Sequence, residues 1–220
     1  MKKNEVVFVI DRSGSMCDLV SDTVGGFNSV LREQKENRDG EVLVSAVLFN
    51  QDRKVLYDRV KISHVKEMTN RDYVPAGCTA LIDALGYSIK HIKNIHKYAR
   101  REDLPEHTLF VVITDGLENA SRDYSSDEVK KMINEQKKKF NWEFLFIAAN
   151  IDAVETAKHY GIEKDYCYDY LSDSIGTNIL YKCVSEKISD TRKCLKNKKS
   201  SNVCMKAISD DTAKRTKKNS

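Results

Sequence analysis

Three runs of consecutive apolar residues constrain the fold of this 220-residue chain more than any other feature. They are VVFVI (6–10), LFVVIT (109–114) and FLFIAAN (144–150), and each gives way abruptly to polar residues. A strand without polar alternation is covered on both of its faces, as happens in parallel sheets flanked by helices. We therefore expect these runs to be the central strands of a largely parallel sheet.

The segments between these runs have the periodicity of amphipathic helices. Apolar residues recur every three or four positions over residues 20–31 and 81–95, which predicts two helices with one buried face each. Ser125 and Asp152 each stand three residues before a glutamate, the pattern of a capping box at a helix start. A further helix is expected within residues 173–192.

Two strand-like segments lie close together in the first third of the chain. They are VLVSAVLF (42–49) and RKVLYDRVKI (53–62), separated by NQD. A three-residue connection is too short for a parallel crossover, so the pair is expected to be an antiparallel hairpin. The whole pattern predicts the α/β class: a doubly wound, mostly parallel sheet with one antiparallel edge strand and helices on both faces.

The net charge of +4 is unevenly distributed along the chain. Residues 193–220 contain nine basic and two acidic residues, giving +7, and residues 1–192 contain 28 basic and 31 acidic residues, giving −3. The basic segment is polar and has few large apolar side chains. We therefore expect one domain over residues 1–192, with its core in 5–170, and a disordered basic tail over 193–220.

Composition also bears on the cellular environment. No apolar run approaches the roughly 20 residues of a membrane span, and the first residues lack the cleavage pattern of a signal peptide, so we expect a cytoplasmic chain. The cysteines form no C-x-x-C pair and have no histidine at zinc-finger spacing, so reduced thiols are expected. They are Cys17, Cys78, Cys167, Cys183, Cys194 and Cys204. A redox pair between Cys17 and Cys78 is left open.

Five oxygen-bearing side chains stand where strands or loops end. Asp11, Ser13 and Ser15 follow the first apolar run, Thr79 precedes a helix in YVPAGCTALIDALG, and Asp115 follows the second run. Ligands gather at the carboxyl ends of parallel strands, so these side chains are expected to meet there. Hydroxyl and carboxylate oxygens suit Mg²⁺, with Mn²⁺ or Ca²⁺ as alternatives.

The charge of this oxygen set predicts what it can bind. Two aspartates neutralise a divalent ion and the hydroxyls add no charge, so the metal can still accept an anionic oxygen from outside. We therefore expect a protein partner that supplies a carboxylate.

The same residues carry a family resemblance. The pattern D-x-S-x-S at residues 11–15, a threonine in a glycine-containing loop and the aspartate of T-D-G resemble the metal-ion-dependent adhesion site of von Willebrand factor type A domains. Closest in pattern are the small stand-alone versions of bacteria and phages, over about residues 5–170. Cys78 departs from the pattern, because the loop commonly has a second glycine there.

The resemblance implies both a fold and a function. The fold is Rossmann-like, and the function is that of a non-catalytic protein-interaction module whose Mg²⁺ recognises an acidic residue of its partner. In this family the two serines and the threonine bind the metal directly or nearly so, and the aspartates often act through water. We assign no catalytic or organic-cofactor residue, and we expect a monomer.

Two alternative functions remain open at this point. A metal-dependent hydrolase acting on phosphoesters is the first, although phosphatases with an aspartate at this strand end use D-x-D, and Ser13 replaces the second carboxylate that would carry the proton. The second is weak nucleic-acid binding through the basic tail. The slightly acidic domain disfavours nucleic acid as the main partner.

Overall fold

Six strands form one sheet in the computed structural model, which describes residues 2–193 and 198–218. Every neighbouring pair is parallel except β2 with β3, which form the antiparallel edge. The sheet order is β3-β2-β1-β4-β5-β6. The strands are β1 (Lys3–Asp11), β2 (Glu41–Phe49), β3 (Arg53–Lys61), β4 (His107–Thr114), β5 (Trp142–Ala148) and β6 (Cys167–Asp169). The predicted α/β class and antiparallel edge strand are confirmed.

Helices cover both faces of this sheet. Helices α1, α5 and α6 pack on one face, and α2, α3 and α4 pack on the other. They are α1 (Val20–Glu36), α2 (Leu81–Tyr98), α3 (Ser126–Phe140), α4 (Ala153–His159), α5 (Ser174–Arg192) and α6 (Lys198–Lys218). None of the helices in the described part of the chain is both long and apolar enough to cross a membrane.

The apolar runs are continuous because the two faces of each central strand enter two different cores. On β1, Val6, Phe8 and Ile10 pack with α1 and α5, whereas Val7 and Val9 pack with α2. Each is at most 1% exposed, and burial of one such side chain contributes about 1.5–3 kcal/mol relative to exposure. This double coverage fixes the strand ends that carry the candidate site.

The two predicted capping boxes differ in the structure. Ser125 and Glu128 form the complete reciprocal box at the start of α3. At the start of α4, Asp152 accepts a hydrogen bond from the Glu155 backbone N–H at 2.8 Å, but the Glu155 carboxylate lies 3.3 Å from Lys158 Nζ instead of returning to the cap. The second helix start is therefore correct and its box is only half formed.

The basic C-terminal segment differs from the expected disordered tail. Its residues Lys198–Lys218 form α6, and the side chains of Met205 and Ile208 are each 1% exposed in the core beneath α5. The segment does contain few large apolar residues, as its composition indicated. Met205 and Ile208 nevertheless lie on one face of the helix, and this face packs into the core that α5 and the strands form. Residues 194–197 and 219–220 of the expected tail lie outside the described residues.

Polar contacts also hold α6 in place. Thr212 Oγ1 donates to the Asp169 carbonyl oxygen at 2.9 Å, at the end of β6. Arg215 forms an ion pair with Asp173 just before α5. These contacts join three neighbouring elements and depend on residues about 40 positions apart, which composition alone does not reveal.

Candidate metal centre

The carboxyl ends of β1 and β4 bring two aspartates to the same edge of the sheet. These strands are neighbours, with Ile10 opposite Ile113, so Asp11 ends β1 beside the loop that Asp115 begins. The loop carrying Thr79 reaches the same edge, because the Ala80 backbone N–H donates at 2.9 Å to the carbonyl oxygen of Asn50, which directly follows β2. Three separate loops therefore meet at one place.

The hydroxyl groups of these loops converge closely. Ser13 Oγ and Ser15 Oγ are 3.1 Å apart, and Ser15 Oγ donates to Asp115 Oδ1 at 2.6 Å. A Cβ placed on Gly116 would lie 3.7 Å from both Ser15 Oγ and Thr79 Oγ1. The threonine hydroxyl is thus close to the serine and the aspartate, although it is distant from them in sequence.

A surface cavity of about 420 Å³ opens over these groups. Four of the five predicted residues line it: Ser13, Ser15, Thr79 and Asp115. Leu117, 64% exposed, also lines it. The fifth predicted residue, Asp11, is fully buried and not among the lining residues.

Asp11 is held rigidly by its neighbours. Its Oδ1 accepts from the Ser13 backbone N–H at 2.7 Å and its Oδ2 from Thr114 Oγ1 at 2.6 Å. The Tyr73 hydroxyl donates to the Asp11 carbonyl oxygen at 2.5 Å. Sequence reasoning missed Thr114 and Tyr73; the threonine stands directly before Asp115, whereas nothing local to Tyr73 indicates its role. Asp11 therefore orients the serine loop from beneath the cavity.

Among the described residues, neither Asp11 nor Asp115 has a hydrogen bond or ion pair with a cationic side chain. Burial raises the pKa of Asp11 above its ordinary value, hydrogen bonds from Thr114 and Ser13 act in the opposite direction, and the charge of Asp115 raises it further. Burial likewise raises the pKa of Asp115, against the hydrogen bond from Ser15. No Lys, Arg or His of the described chain is among the causes given for either shift, so the two carboxylates have hydrogen-bond donors beside them but no cation.

Thr79 is positioned by a residue that sequence reasoning missed. Its backbone N–H donates to Asn119 Oδ1 at 2.9 Å, and the Asn119 N–H donates to the Thr79 carbonyl oxygen at 3.0 Å. Within residues 2–193 and 198–218, the Thr79 hydroxyl itself has no hydrogen-bond partner, although the side chain lines the cavity. Its oxygen is therefore free to act as a ligand.

Two further carboxylates join the loop after β4 to the start of α2. Glu118 accepts from three backbone N–H groups, those of Ile82, Ala120 and Ser121, at 2.7–2.9 Å. Asp83 accepts from those of Arg122, Asp123 and Tyr124 at 2.8–3.0 Å. Since Thr79 precedes α2 and Asp115 precedes the loop, these bonds fix the distance between the two candidate ligands.

The donor chemistry of the cavity fits a hard divalent cation. Three hydroxyls and a carboxylate face or border one space, with a second carboxylate behind them, and Mg²⁺ and Mn²⁺ prefer such oxygen ligands and retain some water. No cluster of three or more His, Cys, Asp or Glu side chains able to hold a metal occurs in the described residues. The candidate centre thus depends on its hydroxyls as well as its carboxylates.

Comparisons with known proteins give a structural likeness and no sequence match. No protein-family model matches the sequence, and no curated protein does. Among solved structures, the D319A mutant of the PilB minor pilin from Streptococcus sanguinis aligns with a TM-score of 0.63 at 14% identity, over 90% of this chain and 64% of that one.

Two other solved structures that align with this chain are named for a metal site or for a fold. Proximal thread matrix protein 1 from the mussel byssus, with a zinc-occupied MIDAS motif, aligns with a TM-score of 0.61 at 15% identity, over 86% of this chain and 48% of that one. The von Willebrand factor type A protein from Catenulispora acidiphila aligns with a TM-score of 0.59 at 12% identity, over 87% and 43%.

These alignments cover most of this chain and only part of each compared protein. The chain spans less than two thirds of the length of each of these three structures, and each alignment covers at least 86% of the chain. The chain therefore has the fold of a von Willebrand factor type A domain.

Proposed function

We propose that this chain is a protein-interaction module in which a bound Mg²⁺ recognises an acidic residue of a partner protein. The observation that carries the proposal is the cavity at the carboxyl edge of the sheet, where Ser13, Ser15, Thr79 and Asp115 converge above Asp11. Mn²⁺ is the expected substitute ion, because it accepts the same oxygen ligands.

Each residue of the proposed centre has a distinct task. The three hydroxyls supply neutral oxygen ligands, Asp115 supplies negative charge at the cavity wall, and Asp11 supplies it from beneath while holding the Ser13 backbone. When bound, Mg²⁺ offers a Lewis-acidic position to one more anionic oxygen. Since the two aspartates only balance the ion's charge, a partner carboxylate is attracted without meeting excess negative charge.

One compared structure supports the choice of site. The mussel byssus protein is described with a zinc-occupied MIDAS motif, and it shares the fold of this chain. Because the identity is 15% and less than half of that protein is covered, the ion and the partner of the present chain are proposals that rest on its own residues.

We propose that the site is non-catalytic. The cavity is lined by Ser, Thr, Asn, Gly and apolar side chains, and its ionisable members are Asp115 and Cys78. A phosphoester hydrolase needs a group that transfers a proton to the leaving oxygen, and Ser13 stands where such enzymes have a carboxylate. Phosphomonoesters incubated with the protein and Mg²⁺ should be hydrolysed no faster than in buffer. Turnover that disappears in Asp11→Asn would instead support the hydrolase.

Nucleic-acid binding through the C-terminal segment is not favoured by its contacts. Arg215 is engaged with Asp173 and Asp211, and α6 is docked on the domain instead of extending as a free basic tail. The salt dependence of binding to duplex DNA tests this alternative, because phosphate contacts by lysines produce a steep decrease with salt.

The proposal is tested by metal binding measured with isothermal titration calorimetry. Mn²⁺ and Mg²⁺ should bind to the wild-type chain at one ion per molecule, and Asp115→Ala and Ser15→Ala should each abolish or strongly weaken binding. Asp58→Asn is a matched control, because Asp58 is an exposed aspartate paired with His91 away from the cavity. Circular dichroism verifies that each variant is folded.

Partner recognition is tested separately from metal binding. Capture of binding proteins by immobilised wild-type chain should require Mg²⁺ and be lost in EDTA and in Ser15→Ala. Capture that persists unchanged in EDTA would contradict the metal-bridged mechanism, even if metal binding itself were observed.

A further inference from the structure

Two cysteine thiols touch each other on the face of the domain formed by α5 and α6. Cys183 on α5 and Cys204 on α6 have their Sγ atoms 2.8 Å apart, and Cys183 Sγ also lies 2.9 Å from the Cys204 carbonyl oxygen. Both are free cysteines. Because a disulfide has its sulfur atoms about 2.04 Å apart, forming the bond requires the two Sγ atoms to approach by less than about 1 Å.

The contact is held by packing on both helices. Cys183 is 2% exposed, and Cys204 is half-buried between the rest of α6 and α5. The neighbours of Cys204 on α6, Met205 and Ile208, are buried in the same core as the strands. The two thiols are therefore neighbours in the folded chain because their helices are docked.

No similar contact occurs among the other described cysteines. Cys17 and Cys78 are exposed free thiols, and the Cys167 thiol donates to the Glu163 carbonyl oxygen at 3.2 Å. Cys183 and Cys204 are thus the one pair whose sulfur atoms contact each other in the part of the chain that the structure describes.

We propose that Cys183 and Cys204 form a reversible disulfide when the folded chain meets a small-molecule disulfide such as oxidised glutathione. The bond joins α6 covalently to α5. Sequence spacing predicts reduced thiols and gives no reason to pair these two; only the docking of α6 does so.

The chemistry proceeds by two thiol–disulfide exchanges. The thiolate of Cys204, the more accessible of the two, attacks one sulfur of oxidised glutathione, forms a mixed disulfide and releases one glutathione thiolate. The Cys183 thiolate then attacks the Cys204 sulfur, forms the Cys183–Cys204 bond and releases the second glutathione. The two protons lost by the cysteines are taken up by the two glutathione thiolates, so two thiols are oxidised and one disulfide is reduced.

The environment of the thiols makes this exchange slow. Burial raises the pKa of Cys183, and burial together with Cys183 and Glu186 raises the pKa of Cys204. The hydrogen bond with Cys204 and, more weakly, the charge of Lys182 act in the opposite direction on the pKa of Cys183. Because the thiolate is the attacking species, the reaction is expected to need hours and a mildly alkaline solution.

The test uses the full chain incubated with oxidised glutathione under non-denaturing conditions, followed by tryptic digestion without reduction. The expected product joins the peptides 183–187 and 200–206, which cleavage after lysine separates from the short peptide that contains Cys194. The same treatment should raise the thermal midpoint by about 5 °C, because the bond restricts the unfolded chain. Added dithiothreitol should reverse both effects.

Variants distinguish this bond from oxidation elsewhere. Cys204→Ser should lose both the cross-linked peptide and the midpoint increase, whereas Cys167→Ser, which removes another buried thiol, should retain both. The proposal fails if Cys17 and Cys78 become fully glutathionylated while Cys183 and Cys204 stay reduced, carry separate glutathione adducts, or link to Cys194. The wild-type peptide map by itself shows whether Cys183 and Cys204 are joined. The proposal can therefore be tested even if a variant does not fold.

Discussion

The two ends of the sheet differ in the partners of their buried carboxylates. Where the strands begin, Glu5 lies 2.6 Å from Arg59 Nε and 2.5 Å from His96 Nε2. Glu143 at the same end lies 2.6 Å from Lys187 Nζ and 3.1 Å from His107 Nε2. Where the strands end, the partners of the candidate-site aspartates are hydroxyl and backbone N–H groups. In the described part of the chain, Arg59 and Lys187 pair with the carboxylates at one end, whereas no cationic side chain pairs with Asp11 or Asp115 at the other.

The pKa values of these carboxyl groups record the difference. At the beginning of β5, burial acts to raise the pKa of Glu143, but His107 and the Lys187 ammonium outweigh it and lower the pKa to about 2. At the other end, burial prevails and raises the pKa of both Asp11 and Asp115. The lowered pKa of Glu143 means that its ionised form is favoured by folding, whereas the raised pKa values of Asp11 and Asp115 mean that their ionised forms are disfavoured until a cation binds. This contrast supports a stabilising role for the first end and a binding role for the second.

The largest expected effect comes from breaking the internal pair. Lys187→Met removes the ammonium group beside the buried Glu143 carboxylate and leaves His107 as its remaining partner. The free energy of unfolding at pH 7 should therefore fall by about 3 kcal/mol. Urea denaturation measures this change. The double variant Lys187→Met/Glu143→Leu should recover most of the loss, and Lys158→Met, which breaks an exposed pair with Glu155, should change little. An unchanged free energy of unfolding in Lys187→Met would mean that the Lys187–Glu143 pair does not contribute to stability.

Acid should weaken the same end of the sheet. Because the pKa of Glu143 is lowered from 4.5 to about 2 on folding, the stability that it contributes is present above pH 4.5 and is lost as the pH falls toward 2. The loss amounts to about 3 kcal/mol. Urea denaturation across this pH range should show a smaller decrease in Glu143→Gln than in the wild type. Parallel curves for the two proteins would rule out this contribution.

A divalent cation should stabilise the opposite end. Binding to the folded chain alone raises the free energy of unfolding by about 2.7 kcal/mol when free Mg²⁺ is about 100 times its dissociation constant. Differential scanning fluorimetry with increasing Mg²⁺ or Mn²⁺ measures the rise, which Asp115→Ala should abolish and Asp58→Asn should preserve. A wild-type midpoint that is constant up to millimolar metal would contradict the proposed centre.

The smallest effect concerns the metal-free site and has the opposite sign from the acid effect at Glu143. Burial raises the pKa of Asp115, so its contribution to stability is full below its unfolded pKa of 3.8 and is lost as the pH rises through the folded value. In EDTA, Asp115→Asn should therefore be more stable than the wild type at pH 7, and the difference should vanish near pH 3. Saturating Mg²⁺ should reverse the order at pH 7. A variant less stable than the wild type in EDTA would show that Asp115 is structurally favourable as a charge.

The sequence predicted the parts of this protein that depend on local pattern. The central strands, the antiparallel edge and the starts of α3 and α4 could be predicted, because apolar runs and capping residues are local signals. The position of five oxygen-bearing side chains at the carboxyl edge could be predicted in the same way, and their role as metal ligands stays a prediction. The residues that position those side chains could not be predicted. Asn119 and Tyr73 act on Thr79 and Asp11 from 40 and 62 positions away, and no local pattern marks either.

The sequence by itself determined a doubly wound α/β sheet and the oxygen groups at its carboxyl edge, since periodicity and strand-end chemistry are properties of short segments. Only the tertiary structure decided which carboxylates have cations, because Lys187 meets Glu143 across 44 positions. It also decided that the basic C-terminal segment docks as α6, because burial of Met205 and Ile208 requires a surface built by other elements. The contact of Cys183 with Cys204 follows from that docking and has no counterpart in their spacing. Local interactions act along the chain, whereas charge pairing, docking and thiol contact depend on distances that only the folded chain sets.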